Sequence, residues 1–269
     1  MIKKYIKKYF KRVFSVVSSP VKQDLMQETI RTISRLQTIS YLHQKSFAGY
    51  KNLYAGKSVV LVGAGPSVRN FKPINDCVYV GLNRACTLDT VKFDYLFTID
   101  KSGVDKIYEK FGSYNCVKFV GDQNLGSAFQ IPESEVLKWT NVRRYMTDAN
   151  LFSGCSSRYC LNIETEPLGN FNSVSLQAMQ FILYTNPSKI YLVGIDCSDI
   201  GHFNTAQDNR DEHAQRMKAR GEDISQWAND TQKFWYQLKD FADQYYPDTE
   251  IISVNPVGLR GLFKDLDQE

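Results

Sequence analysis

From Ser58 onward, short β-branched and aromatic runs recur with helix-sized intervals between them, and this alternation narrows the possible folds more than any other feature. The runs are Ser58 to Val62, Val78 to Leu82, Tyr95 to Ile99, Val117 to Val120, Ile190 to Val193 and Ile251 to Val254. Runs that are apolar throughout suit strands buried on both faces, so the pattern predicts an α/β, Rossmann-like, mostly parallel sheet with helices on both faces. In such a sheet ligands bind outside the carboxyl ends of the strands. Residues that directly follow a strand are therefore the first candidates for chemistry.

The first strand runs into Gly63-Ala64-Gly65-Pro66-Ser67. Glycines allow close backbone approach to a phosphate or ribose, and Pro66 suits the first position of a helix, where its missing N–H leaves no bond unmade. The dinucleotide fingerprint is incomplete. Val68 stands where a final Gly or Ala belongs, and Asn83, not an acid, follows the second strand, which disfavours a plain NAD or FAD enzyme. Asn83 offers a donor and an acceptor and fits a base or sugar edge as well as it fits a turn.

Asp100 ends the third run and is either a base or substrate contact, or the cap of the next helix. The stretch from Ser173 to Tyr184 reads as a helix with Val174, Ala178, Phe181 and Ile182 on the sheet and free amides at its start, an anion-attracting arrangement. Asp196 closes Lys189 to Asp196 at another carboxyl edge, and His202 follows six residues later as a candidate base near neutral pH. His213 is a second candidate and His43 reads as structural. No Ser-His-Asp order, His/Cys metal cluster or D-x-D metal motif is evident, so no metal site is expected. The charged stretch Thr205 to Ser225 reads as a lid.

The formal charge of +4 is unevenly placed. Seven cations (Lys3, Lys4, Lys7, Lys8, Lys11, Arg12 and Lys22) precede the first acid, Asp24; removing them from 33 leaves 26 bases against 29 acids. A body without a basic surplus is a poor nucleic-acid partner. The six cysteines lack paired zinc spacing and read as reduced, mostly buried thiols of a cytoplasmic protein. No secretory signal or membrane-spanning stretch is read from the sequence.

Residues 1–17 carry Ile2, Tyr5, Ile6, Tyr9, Phe10, Val13, Phe14 and Val17 at helical spacing, opposite six cations. A basic amphipathic helix of this kind suits a membrane surface such as the inner membrane face, at about 1 kcal/mol per cation near anionic lipid, with an oligomerisation helix or a presequence as the alternatives. Ser18, Ser19 and Pro20 break it. Residues 18–50 then read as a helical linker, with Asp24 to Gln44 helical, that spaces the body from the membrane or pairs with a copy of itself. Residues 51–269 form the expected nucleotide-binding domain.

Together, Val60 to Ser67, Gly81 to Arg84, Tyr95 to Asp100, Asn172 to Val174 and Ile190 to Asp196 resemble, in order and spacing, the bacterial sialyltransferases of glycosyltransferase family 42. They also resemble the domain shared by motility accessory factors and 6-hydroxymethylpterin diphosphokinases, the Asn172 to Phe203 stretch more so; Asn255 to Gly261 is a weaker echo. The first resemblance implies a metal-independent glycosyltransferase with a CMP-linked sugar donor and no further cofactor. Gly63, Ala64, Gly65, Pro66, Ser67, Asn83, Ser173 and Asp196 would line the nucleotide, and His202 or Asp100 would be catalytic. The acceptor would be a glycan or a lipid-linked precursor of a bacterial surface polysaccharide. The chain departs from that family at Ala64 and Asp100, where asparagines are usual, and near Ser225 to Trp227, where a late histidine is missing. The second resemblance implies ATP- and magnesium-dependent diphosphate transfer through Asp100 and Asp196, and a non-catalytic nucleotide-binding protein is a third reading.

Overall fold

A computed structural model describes residues 20–122, 130–148, 157–171, 173–197, 221 and 224–268. Helix α1 (Pro20–Phe47) leads into β1 (Ser58–Val62), β2 (Cys77–Leu82), β3 (Tyr95–Thr98), β4 (Val117–Asp122) and β5 (Val142–Met146). After α5 (Val174–Tyr184) come β6 (Lys189–Val193), α6 (Ile224–Tyr245), β7 (Glu250–Val254) and β8 (Lys264–Leu266). The remaining helices are short: α2 (Lys101–Val104), α3 (Tyr108–Ser113) and α4 (Glu133–Val136), with one-turn 3₁₀ helices at Pro66–Asn70 and Asn83–Thr87.

The strands form one eight-stranded sheet in the order β5-β4-β3-β2-β1-β6-β7-β8, and every neighbouring pair is parallel. The chain walks outward from β1 to β5 and then returns to the other side of β1 as β6. The topological switch point, where a ligand crevice opens in such sheets, therefore lies between the carboxyl ends of β1 and β6.

Because side chains alternate along a strand, each strand feeds two cores. Val59 and Leu61 of β1, Val80 and Leu82 of β2, and Tyr95 and Phe97 of β3 pack on one face with Phe47, Phe181 and Trp235. Val60, Val62 and Leu96 face the other way, against Val68, Phe93, Phe111 and Trp139. The long helices α1, α5 and α6 cover the first face, and the short ones the second. The first core centres on aromatic rings: Phe119 stacks on Phe97 at 4.6 Å and on Phe47 at 5.2 Å between centroids, and meets Phe181 at 4.9 Å.

Three features differ from the sequence reading. Strands β5 and β8 were not expected, because Val-Arg-Arg-Tyr-Met and Lys-Asp-Leu lack the apolar runs of central strands. Helix α1 is longer at both ends than Asp24 to Gln44. The packed body also begins inside that helix, ahead of residue 51: Ile39, His43, Ser46 and Phe47 are buried.

The end of α1 closes the open edge of β5, the side on which backbone groups would otherwise lack partners. The Ser46 hydroxyl donates to the Arg144 carbonyl at 2.5 Å, and the Met146 N–H donates to His43 Nε2 at 2.8 Å. The Arg143 guanidinium returns to the carbonyls of Lys45 and Ser46 at 2.9 and 3.2 Å. His43 is structural, as its place on the helix suggested. The segments 1–17 and 205–220 lie outside the described residues. No helix among the described residues is long and apolar enough to cross a membrane.

Candidate functional site

The loop after β1 crosses the loop after β6 at the switch point. The Gly63 N–H donates to the Val193 carbonyl at 2.8 Å, and the Gly65 N–H to the Gly194 carbonyl at 2.9 Å. A Cβ on Gly63 would stand 2.4 Å from the Gly194 oxygen, and one on Gly65 would stand 2.5 Å from Asp196 Cγ. The glycines expected to admit a phosphate thus have a second, sufficient reason to be there: two backbone loops touch, and no side chain fits between them. Ala64 sits between them, half-buried. Pro66 opens a single 3₁₀ turn, Pro66–Asn70, not the longer helix that the sequence suggested.

Asp196 is buried and turned onto this loop. Its carboxylate accepts the Ser67 backbone N–H at 3.0 Å and also the Ser67 hydroxyl. Burial raises the Asp196 pKa above the usual carboxylate value, and the two Ser67 donors pull it back. A carboxylate already fills the anion position at this turn, so the Ser67 N–H is engaged and a negative group would be repelled from it. A third loop closes on the same place, with the Gly258 N–H donating to the Asp196 carbonyl at 2.8 Å.

Asn83 and Asp100 come together one and two strands away. Asn83 directly follows β2 with φ +49°, a left-handed conformation that asparagine tolerates better than most residues. Its amide lies over the first turn of α2, where a Cβ on Gly103 would stand 2.4 Å from Asn83 Oδ1. Asp100 caps that turn, accepting the Gly103 N–H at 2.9 Å. The capping alternative for Asp100 is therefore realised, on an element that Asn83 also touches. Asn83 Oδ1 is buried and has no hydrogen-bond partner among the described residues.

Ser173 is the N-cap of α5, but its hydroxyl meets the Ser175 hydroxyl at 2.7 Å and leaves the helix start uncapped by a side chain. No acidic residue occupies the first turn. The helix returns the chain from the carboxyl edge of β5 to the start of β6, so its N-terminus lies on the same side of the sheet as Asn83, Asp100 and Asp196. The segment before it is fixed by a partly buried network that sequence reasoning missed. Tyr145 Oη donates to Gln177 Oε1 at 2.7 Å, Gln177 Nε2 donates to the Asn170 carbonyl at 3.1 Å, and the Asn170 N–H reaches Asp148 at 2.9 Å. Two glutamines inside an otherwise apolar helix were the available signal.

His202 and His213 lie outside the described residues. Asp122, at the end of β4, pairs with Arg144 at 2.7 Å; burial raises its pKa and Arg144 opposes the rise. Among the described residues no group of three His, Cys, Asp or Glu side chains is placed to hold a metal ion. Of the cysteines described, Cys86, Cys116 and Cys160 are buried, Cys77 and Cys197 are partly so, and all five are free.

The fold and these residues define a Rossmann-like α/β protein with polar side chains gathered at the carboxyl edge of its sheet. No family model matches the chain, and no curated protein matches it. Among solved structures it is similar to the sialyltransferase CstII, in a complex with CMP, at 15% identity and a TM-score of 0.43 over 73% of this chain and 80% of that one. The Campylobacter jejuni CstII complex with the substrate analogue CMP-3FNeuAc gives 15% identity and a TM-score of 0.43 over 78% and 86%. A variant of α-2,3/8-sialyltransferase CstII gives 13% and 0.41 over the same shares. Overlap of this size carries no statement about chemistry.

Proposed function

We propose that the chain is a glycosyltransferase that moves a sugar, a nonulosonic acid such as sialic acid, from a CMP-activated donor to a surface-glycan acceptor at the inner membrane face. The observation that carries this reading is Asn83, a polar side chain at the carboxyl edge whose buried Oδ1 lacks a donor. A buried acceptor left unpaired costs about 1–3 kcal/mol, and a ligand N–H or O–H that reaches it recovers that cost on binding. The exocyclic amine of cytosine and the hydroxyls of ribose are donors of the right kind. The order of motifs around Gly63, Asn83, Asp100, Ser173 and Asp196 supports the same donor class.

In this reading the two anion-attracting elements have different tasks. Asp196 occupies the Ser67 N–H, which turns the donor's phosphate away from the glycine loop and toward the start of α5. There, amides without a capping side chain and the Ser173 and Ser175 hydroxyls can stabilise negative charge as CMP leaves. Asp100, with His202 as the alternative, takes the proton of the acceptor hydroxyl as its oxygen attacks the anomeric carbon. Residues 1–17 would hold the enzyme at the membrane surface, where a lipid-linked acceptor is presented.

Thermal-shift measurements on the full chain with CMP, UDP, GDP and ATP, each with and without magnesium, test the donor class. Stabilisation by CMP alone, independent of magnesium, is expected. Stabilisation by ATP only with magnesium would replace this reading with diphosphate transfer. Preference for UDP or GDP would move the donor assignment elsewhere.

A further inference from the structure

The first half of α1 stands clear of the body. Between Asp24 and Thr38 every residue is exposed except the half-buried Thr32, whereas Ile39, His43, Ser46 and Phe47 are buried. At about 100° per residue, Leu25, Met26, Ile30, Ile33 and Leu36 fall within one arc of roughly 140°. Their exposures are 67%, 64%, 52%, 50% and 37%. Asp24, Glu28, Arg31 and Arg35 occupy the opposite side, where Arg31 pairs with Glu28 at 3.8 Å. An isolated helix of about 12–15 residues is marginal in water, and its stability comes from covering its apolar face.

We propose that this stripe pairs with the same stripe of a second copy of the chain, so that α1 projects from each body into a shared helical interface. Charge placement selects this occupant. Between Asp24 and Thr38 no charged side chain lies within the apolar arc, so this stretch of two copies meets without like-charge repulsion; Lys22, a turn earlier on the same arc, lies outside that stretch. The two acids and two bases opposite it leave the segment neutral, whereas a helix lying on anionic lipid carries an excess of Lys and Arg. A neutral face also gives the cationic segment 1–17 no acidic partner within the stripe. The stripe exposes on the order of 500 Å² of apolar side chain, near the upper limit for one patch on a monomer. Two such faces bury about 1,000 Å², the size at which specific interfaces begin. Because the last turns of α1 are anchored on β5, pairing fixes one body relative to the other.

Sedimentation of the full chain from about 1 to 100 µM, a range that spans micromolar dissociation constants, tests the proposal. Wild type is expected to associate, Met26→Glu with Ile33→Glu to sediment as a monomer, and Arg35→Glu on the polar side to associate like wild type. Both glutamates replace side chains that are at least half exposed, so a melting curve matching wild type's separates lost association from lost folding. A wild-type monomer throughout overturns the proposal. So does association that survives the paired glutamates, which places the contact elsewhere. A monomer that binds phosphatidylglycerol vesicles through the stripe, with binding lost in the double variant, overturns it in favour of lipid.

Discussion

His43 ties together three parts of the chain through one neutral imidazole, and its protonation should loosen all three. Nδ1–H donates to the Ile163 carbonyl at 2.8 Å, and Nε2 accepts the Met146 N–H, also at 2.8 Å. A proton on Nε2 would face another donor, and the ring is fully buried. Burial, opposed by the backbone contacts, lowers its pKa from 6.5 to about 4. The unfolded chain takes up the proton near 6.5 and the folded chain resists until about 4. Stability is therefore unaffected by this group above pH 6.5 and falls as pH drops through that window. At 1.36 kcal/mol per unit the full effect is about 3 kcal/mol, of which some 2–3 kcal/mol is reached by pH 4.5. Carboxylates also titrate there, so the measurement is a comparison. Urea unfolding of wild type and His43→Gln between pH 7.5 and 4.5 should show wild type losing about 2–3 kcal/mol more than a variant that can donate and accept without titrating. Parallel pH profiles would refute the assignment of a neutral, doubly bonded His43.

Two further outcomes follow from the packing. Gly65→Ala places a methyl 2.5 Å from Asp196 Cγ and 2.7 Å from the Gly194 oxygen, which should cost about 1–3 kcal/mol by overpacking in urea unfolding even without nucleotide; a neutral result would return the glycine to a purely ligand-binding role. Phe47→Ala removes a ring between Phe119 and Phe181 and should cost about 3–5 kcal/mol, whereas a cost below 1 kcal/mol would mean that the end of α1 is not part of the core.

The sequence made the central sheet legible because its strands are buried on both faces and so read as unbroken apolar runs. The rim was less legible for the converse reason. Arg143 and Arg144 make β5 look like a surface segment until the edge is paired with Lys45 and Ser46, nearly a hundred residues earlier. The end of α1 and the turns after it carried a visible signal in Phe47, Tyr50 and Tyr54, aromatics too closely spaced for a free linker. Asn83 and Asp100 stood out as candidates because each lies within two residues of the end of a strand. The role of Asp196 could not be read this way: it depends on Ser67, 129 residues away, and nothing local marks two loops as crossing. That contact changes the meaning of the glycine loop from an open anion cradle to a packed junction.

The most direct test of the proposed site is calorimetric binding of CMP to the full wild-type chain and to Asn83→Ala. Pairing of Asn83 with a cytidine donor predicts magnesium-independent binding by wild type and roughly tenfold weaker binding by the variant, the equivalent of one hydrogen bond of about 1.4 kcal/mol. The variant's unfolding free energy in the absence of ligand should stay within about 1 kcal/mol of wild type, because removal of the unpaired acceptor offsets the cost of alanine at a positive φ. Equal CMP affinity in the two proteins, or no CMP binding by wild type, would contradict the assignment of Asn83 as the nucleotide contact.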